Sequence, residues 1–309
     1  GCAMHKDLNT IKAGAKAMGE LWARMKSSHC PGPIALPAKG KSAPLNQHAT
    51  LGPPGIALAV LPDSGAIRLT MLAGILMNNK DDKKGCQDMH HDWFRQKCGC
   101  AHRFPDTSNT RFGSHLRAAI ELFILCPEYI EFMEFCHNKK INLGYNNMEE
   151  NIYRGLHDPS TITELAVLSL IGQAVSFPYM KSVCSNNQSQ KNMLEMGPFH
   201  EKVKAHIAKI IQNPDLVLDV GKWKNEGNLL GEGWEDPLVF DALKWDKEKL
   251  PYLCEMLIAF CKGTLQKWSN FTTEFAPDGT ISSMSPDEKH WAFMPTTNDA
   301  NEGMLGTVR

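Results

Sequence analysis

Apolar side chains recur at intervals of three and four residues along most of the chain, which is the spacing of one face of an α-helix. The first such segment has Leu8, Ile11, Ala15, Met18, Leu21, Trp22 and Met25 at these positions. The same pattern predicts helices at residues 85–97, 116–124, 128–138, 199–212 and 251–275. Ser285 is expected to cap a short helix that runs through Trp291. The predicted fold class is therefore mainly α.

The most apolar segment covers residues 161–180. Ser160 and Thr161, followed by Glu164, have the spacing of a capping box, in which a hydroxyl and a carboxylate bond the free backbone N–H groups of a helix start. A helix that is apolar on every side belongs in the interior of a protein. We therefore expect a buried helix at the centre of the fold.

Three stretches lack helical periodicity. Residues 27–62 are rich in Pro, Gly, Ala and Lys and are predicted to form a loop or linker. Residues 78–84 form a charged run, and residues 221–233 are predicted to form a loop. No period of about 20–50 residues repeats along the chain, which argues against a solenoid.

The composition is that of a globular chain of 309 residues with 42% hydrophobic residues. Lys and Arg (33) nearly balance Asp and Glu (34), so nucleic-acid binding would have to use local basic patches. The 10 cysteines are unevenly spaced and follow no signal peptide, which favours reduced intracellular thiols. No apolar run reaches the roughly 18 residues of a membrane span, so no membrane partner is expected.

Cysteine and histidine residues are concentrated between positions 86 and 102. They are Cys86, His90, His91, Cys98, Cys100 and His102. The pair Cys98 and Cys100 is C-x-C and has no second pair at the distance typical of a zinc finger or ribbon. Cys86 and His90 can share a helix face, so zinc stays an alternative with an incomplete ligand pattern.

The start of the chain, Cys2-Ala-Met-His5, permits three interpretations from its residues alone. A buried thiol and a hydrogen-bonded imidazole at a helix start need no function. A zinc site would need two further ligands. His5-Lys-Asp7 also has the H-x-D spacing of a non-haem iron site, although such a site belongs in a strand-rich fold.

The predicted helix at 199–212 carries basic side chains between its apolar positions. These are His200, Lys202, Lys204, His206 and Lys209. Such a face either contacts phosphates or is simply solvated.

Two further stretches have the features of helix starts. After Pro105, residues 106–109 are cap-type residues, and Arg111 and Phe112 follow them. Near position 302, Asn298 or Asn301 could cap a helix, and Glu302 would lie in its first turn, where an acidic residue is favoured by the helix dipole. From spacing alone, Glu302 is a capping carboxylate.

The order of these motifs resembles that of hAT-like DNA transposases, including divergent forms in fungal genomes. Cys2-x-x-His5 is similar to the Cys-x-x-His motif that follows the second catalytic Asp of that family. Residues 106–114, Asp-x-x-x-Thr-Arg-Phe-x-Ser, are similar to its Thr-Arg-Trp-Asn-Ser signature, with Phe112 in place of Trp. Pro295, a run of small residues and Glu302 resemble its C-terminal motif. The resemblance spans nearly the whole chain. Each motif is short, and the order of the motifs makes the resemblance specific.

The resemblance implies a cut-and-paste DNA transposase with an RNase H-like core interrupted by a large helical insertion. Residues 1–27 would be the exit from the core, residues 28–285 the insertion, and residues 286–309 the return. Glu302 would complete a DDE triad and bind Mg²⁺ or Mn²⁺, while both catalytic Asp residues are expected upstream of Gly1. Both ends of the chain are accordingly expected to lie within a longer protein.

The resemblance also implies DNA as the partner, both the transposon ends and the target. In that family the signature aromatic residue stacks on a flipped base, and Arg111 and Phe112 are the matching positions. Further DNA contacts are expected from Cys2, His5, Lys202, Lys204 and Lys209. A nuclear location and a homo-oligomer would fit this role.

Two other classes remain as alternatives. A transposase-derived DNA-binding or protein-interaction protein would keep the helical body without catalysis. An iron oxygenase built on His5 and Asp7 would require a core rich in strands.

Overall fold

The computed structural model describes residues 2–27, 30–37, 65–80, 85–99, 102–107, 113–139, 146–184, 192–219, 225–276 and 278–296, with the backbone alone at residues 245–247. These residues are mainly helical and contain no β-strand. The helices are α1 (Ala3–Met25), α2 (Gly65–Met77), α3 (Gln87–Cys98), α4 (Gly113–Ile124), α5 (Cys126–Asn138), α6 (Asn147–Leu156), α7 (Pro159–Ile171), α8 (Phe177–Cys184), α9 (Gly197–Gln212), α10 (Asp215–Leu218), α11 (Leu238–Asp246), α12 (Leu253–Phe271) and α13 (Pro286–Trp291). The mainly α prediction is confirmed.

The helices predicted from apolar periodicity are present as α1, α3, α4, α5, α9 and α12, and they bury apolar side chains of the predicted stripes. The side chains of Ile11, Met18 and Trp22 on α1 are buried, as are those of Val203 and Ile207 on α9. The predicted cap at Ser285 is also confirmed. Its hydroxyl accepts a hydrogen bond from the N–H of Glu288 at 3.2 Å, and the Glu288 carboxylate accepts one from the N–H of Ser285 at 2.7 Å.

The predicted cap of the central helix is wrong in its details. The carboxylate of Asp158 accepts hydrogen bonds from both the N–H and the hydroxyl of Thr161, at 2.9 and 2.6 Å. Glu164 instead accepts a hydrogen bond from the N–H of Ala66 at 2.8 Å, at the start of α2. Gly65 is required there, since its φ is +76° and a Cβ would lie 2.1 Å from the Glu164 carboxylate.

The predicted burial of the central segment is confirmed. A short π-helix, Gly172–Ser176, joins α7 to α8. The combined helix, Pro159–Cys184, is long and apolar enough to cross a membrane by length and composition, which corrects the expectation that no such segment exists. Within its most apolar window, 94% of the residues are buried inside the protein.

The chain divides into two compact units. The first unit comprises Gly1–Arg24, Leu170–Lys244 and Cys254–Arg309, and the second comprises Met25–Ser169 and Trp245–Leu253. The predicted boundaries at residues 27 and 285 stay a prediction.

In the first unit, α1 packs closely on α12. A Cβ at Gly14 would lie 2.6 Å from the ring of Phe260, and one at Gly263 would lie 2.6 Å from the backbone oxygen of Ala13. The hydroxyl of Thr264 donates a hydrogen bond to the carbonyl of Thr10 at 3.3 Å. Glycine at both contact points lets the two helix backbones approach and fixes the position of α1.

In the second unit, α2 packs against α4 and α6. A Cβ at Gly155 on α6 would approach the side chain of Leu69 at 3.0 Å, so this contact is also close. The carboxylate of Asp158 additionally accepts a hydrogen bond from the N–H of Ile34 at 3.2 Å.

Candidate functional site

The start of α1 is bonded to the last described segment of the chain. The N–H of Ala3 donates a hydrogen bond to the carbonyl of Thr296 at 3.0 Å. The hydroxyl of Thr296 donates to the carbonyl of Val183 at 3.2 Å. The Cys2-x-x-His5 turn and the run that leads to Glu302 therefore begin side by side.

Asn192 holds the segment just before Thr296 in place. Its side-chain amide donates to the carbonyl of Lys289 at 2.7 Å, and its side-chain oxygen accepts from the N–H of Met294 at 3.2 Å. The N–H of Met193 also donates to the carbonyl of Met294, at 2.7 Å. These bonds fix the backbone at Lys289 and Met294, just before Thr296.

The first turn of α1 separates His5 from Asp7. Cys2 is half-buried and His5 is exposed, whereas Asp7 is buried. The H-x-D tripeptide thus does not present its two ligand residues on one surface. Within the described ranges, no group of three or more His, Cys, Asp or Glu side chains could hold a metal ion.

Lys6 attaches the same turn to the end of α12. Its ammonium group donates to the carbonyl of Phe271 and to the carboxylate of Glu274, both at 2.9 Å. It also lies 5.0 Å from the centre of the Phe275 ring. Burial of this lysine is possible because its charge is paired and hydrogen-bonded.

Asp7 is the most unusual group of the site. Its side chain is 4% exposed, and its Oδ2 accepts a hydrogen bond from the hydroxyl of Ser176 at 2.6 Å. Its Oδ1 has no hydrogen-bond partner among the described residues. Burial raises the pKa of the Asp7 carboxyl to about 7, against the smaller lowering effect of the Ser176 hydrogen bond. Asp7 therefore exchanges a proton near neutral pH.

Ser176 ends the π-helix, and the loop at residues 228–236 accounts for that irregularity. The carbonyl of Ala174 accepts from the N–H of Leu229 at 2.9 Å, and the carbonyl of Gln173 accepts from the side chain of Asn228 at 3.3 Å. The side-chain oxygen of Gln173 accepts from the N–H of Glu235 at 3.0 Å. Short π-helical turns occur frequently at functional sites.

Beyond Ser176, an aromatic cluster contains further polar atoms without partners. The ring of Tyr179 packs against those of Phe199 and Trp268, with centroids 5.7 and 5.0 Å apart. Within the described part of the chain, the Tyr179 hydroxyl and both ring nitrogens of His200 lack hydrogen-bond partners. Burial raises the pKa of Tyr179, and the charge of Asp7 adds to this effect. Burial, with smaller effects from Lys6 and Lys204, lowers the pKa of His200 to about 3.

The basic side chains of α9 do not form one continuous face. His200 is in the core, which corrects its assignment to the basic surface. His206 is half-buried and bonds the carbonyl of Gly227 at 3.0 Å. Lys204 pairs with Glu201 at 2.6 Å. Lys202 and Lys209 are exposed, so they are the side chains of α9 best able to reach a phosphate.

Two histidines of the second unit, His90 and His102, belong to one hydrogen-bonded chain. His90 Nε2 lies 3.1 Å from the Tyr129 hydroxyl, which donates to the Glu121 carboxylate at 2.7 Å. His102 Nε2 bonds the same carboxylate oxygen. This hydrogen bond raises the pKa of His102, whereas burial lowers the pKa of His90 to about 3. The described part of the cysteine and histidine cluster contains no zinc site, and Cys100 lies outside the described residues.

Arg111, Phe112 and Glu302 lie outside the described residues. The contact between Asp7 and Ser176 was not predicted from the sequence. One signal was available, since Asp7 falls on the buried stripe of α1 with Ala3, Thr10 and Ile11. A carboxylate on an apolar stripe requires a partner, but the spacing of α1 could not identify it.

Comparison with known proteins finds no match to this chain among protein-family models, curated proteins or solved structures.

Proposed function

We propose that this chain is part of a hAT-like, cut-and-paste DNA transposase, in which Glu302 is one of three metal-binding carboxylates. The observation that carries the proposal is the hydrogen bond from Ala3 to Thr296. The family resemblance requires the Glu motif to return to the element that bears Cys-x-x-His. In this chain, the run before Glu302 starts against the first turn of α1.

The proposed architecture is an RNase H-like core interrupted by a helical insertion. Two features support it. The helical content of the described residues suits the insertion. The beginning and the end of the chain also fall into one compact unit, which includes Leu170–Lys244 of the proposed insertion as well, while most of the second unit is the continuous stretch Met25–Ser169. The RNase H-like strands and both catalytic Asp residues would then be supplied by sequence upstream of Gly1.

The proposed chemistry needs more than one carboxylate. Two divalent ions about 3.5–4 Å apart activate the attacking oxygen and stabilise the leaving oxygen of a phosphodiester. A single glutamate cannot hold such a pair, because Mg²⁺ gives up its water shell only reluctantly. Glu302 would therefore bind Mg²⁺ or Mn²⁺ only together with the upstream Asp residues.

The DNA contacts are proposed from the motifs and from exposed charge. Arg111 and Phe112 would contact a nucleotide beside the cleavage site, since an aromatic face can stack on any unpaired base. Cys2 and His5 would lie close to the metal-binding Glu in this arrangement. The exposed Lys202 and Lys209 would bind phosphates, and Lys204 would do so after leaving Glu201. We also propose that the protein acts in the nucleus, as a homo-oligomer that binds two transposon ends.

The test is Glu302→Gln in the protein extended upstream to include both Asp residues. We expect strand cleavage to fall to background while duplex binding and thermal stability stay near wild type, because the change removes charge and hardly alters shape. Asp299→Asn, in the same run, makes the same change in charge and should retain cleavage. The 309-residue chain by itself should neither cleave DNA nor bind Mg²⁺ tightly.

Two results would count against the proposal. Wild-type cleavage by a folded Glu302→Gln protein would return Glu302 to a helix-capping role. DNA binding without cleavage in the extended wild-type protein would favour the non-catalytic, transposase-derived alternative.

A further inference from the structure

We propose that Asp7 is a proton-controlled latch, whose neutral carboxyl group holds the first turn of α1 on the π-helix and whose ionisation loosens that attachment. The latch concerns the stability of the first unit and does not depend on the proposed DNA chemistry.

Among the described residues, the Asp7 carboxyl group has no charged hydrogen-bond partner. Its one described hydrogen-bond partner is the neutral hydroxyl of Ser176, and its other oxygen has none within the described ranges. The neighbouring Lys6 directs its ammonium group to Glu274 and to the carbonyl of Phe271. A buried carboxylate in such surroundings is costly, and the group takes up a proton instead.

The groups that face Asp7 from the neighbouring elements do not favour its ionisation. From α8, Tyr179 lies close enough for the charge of Asp7 to raise the phenol's pKa, and the thiols of Cys2 and Cys184 act on that phenol in the same direction. On α9, His200 lies next to Tyr179, with ring centroids 6.4 Å apart, and it is neutral because burial lowers its pKa to about 3. On α12, the uncharged hydroxyl of Thr264 bonds the carbonyl of Thr10, and the uncharged indole of Trp268 packs against Tyr179. Glu274 beyond α12 is already paired with Lys6.

The contact between Asp7 and Ser176 lies close in sequence to the hydrogen bonds that join Thr296 to α1 and α8. The turn that contains Asp7 also contains Ala3, which bonds Thr296, and the helix that contains Tyr179 also contains Val183, which accepts from Thr296. Weakening the contact between Asp7 and Ser176 would therefore weaken both hydrogen bonds of Thr296, the one with Ala3 and the one with Val183. If Glu302 is catalytic, the same event would make its position depend on pH.

The direction of the pH effect follows from the two proton affinities. The pKa of Asp7 is about 7 in the folded chain and 3.8 for an ordinary aspartate. The folded state therefore binds the proton more tightly by roughly 1000-fold. Below pH 3.8 the group is protonated in both the folded and the unfolded chain, so its contribution to stability is fully present; as the pH rises from 3.8 to about 7 that contribution is progressively lost.

The test compares Asp7→Asn with the wild-type 309-residue chain between pH 4 and pH 8. Asparagine imitates the neutral carboxyl group, and its oxygen can still accept the Ser176 hydrogen bond. The two melting temperatures should nearly coincide at pH 4, and the variant should melt roughly 10 °C higher at pH 8. Taking the difference between the chains removes the contributions of every other titrating group.

Asp241→Asn is the matched control, because Asp241 is an exposed aspartate of the same unit. Its melting temperature should differ from that of the wild type by a constant amount across the pH range. A constant difference for Asp7→Asn as well would overturn the latch.

A second measurement follows the protonation of the carboxyl group directly, and it is informative even if the Asp7→Asn variant does not fold. Carbon-13 NMR of the aspartate carboxyl groups should show one that titrates near neutral pH in the wild-type chain. Ser176→Ala removes the hydrogen bond that lowers this pKa, so the midpoint should move to higher pH. Titration of every aspartate in the acidic range would overturn the proposal, whatever the outcome of the cleavage assay.

Discussion

Each unit has a fully buried histidine near other polar groups, but the two histidines differ in their hydrogen bonds. His90 in the second unit and His200 in the first are both fully buried, and burial lowers the pKa of each to about 3. His90 is hydrogen-bonded to Tyr129, which is bonded in turn to Glu121. Neither ring nitrogen of His200 has a partner among the described residues, and its ring packs against Trp268 and Phe275.

The two surroundings differ in how the buried polar groups are bonded. In the second unit, His90, Tyr129, Glu121 and the half-buried His102 form one hydrogen-bonded chain, although His90 Nδ1 and His91 Nε2 have no partner among the described residues. In the first unit, the Tyr179 hydroxyl and both nitrogens of His200 have no partner within the described part of the chain, and Asp7 has one partner for its two oxygens. An unsatisfied buried polar atom lowers stability, and Asp7 is the acidic group among these residues, so its protonation can relieve that cost.

The largest expected effect is the loss of stability on acidification, which should be the same for both histidines. Both histidines have folded pKa values far below 6.5, so their contribution to stability is complete above pH 6.5 and is lost as the pH falls toward 3. At pH 5 each should contribute about 2 kcal/mol less than at pH 8. His90→Leu and His200→Leu should each gain that amount relative to wild type over this range.

Hydrogen exchange of α3 would report on the His90 variant and that of α9 on the His200 variant, so the two units are measured separately. If the His200 variant shows no such gain, the unpartnered ring is protonated inside the protein, and the two histidines differ in charge as well as in bonding.

The next largest effect concerns the network itself. Glu121→Leu removes the acceptor of the buried Tyr129 hydroxyl and the partner of His102. Leaving a buried hydroxyl without an acceptor costs about 1–3 kcal/mol. Urea denaturation should show this loss, whereas Glu131→Leu, which breaks the exposed pair with Lys97, should change the midpoint little. Equal effects from both variants would mean that the network adds no stability.

The smallest effect is the direct comparison of the two histidines at pH 8. His90→Leu loses a buried hydrogen bond and should cost about 1 kcal/mol. His200→Leu loses none among the described residues, so it should lower the free energy of unfolding by less than His90→Leu does. The comparison fails if His200→Leu is the more damaging variant at this pH, where both rings are neutral.

Local sequence patterns predicted helices such as α1, α9 and α12 because each of them buries its own apolar stripe. The stripe on α1 and the cap at Ser285 needed only neighbouring residues to be recognised. The function of Glu164 was missed because its partner, Ala66, is 98 positions away. The contact between Asp7 and Ser176 spans 169 positions and depends on a π-helical turn that a distant loop stabilises. Periodicity contains no information about such pairings.

The long span between α1 and its partners also sets an order of events during synthesis. Lys6 and Glu274 are 268 positions apart, so the ribosome must add all the intervening residues before their ion pair can form. At about 5–20 residues per second, α1 waits roughly 13–54 s for α12 and the segment beyond it. Residues 25–169, by contrast, are continuous in the second unit and emerge within that interval. We expect a nascent chain to lack the contacts of α1 with α12 throughout this time, although the partner of Asp7, Ser176, is synthesised earlier.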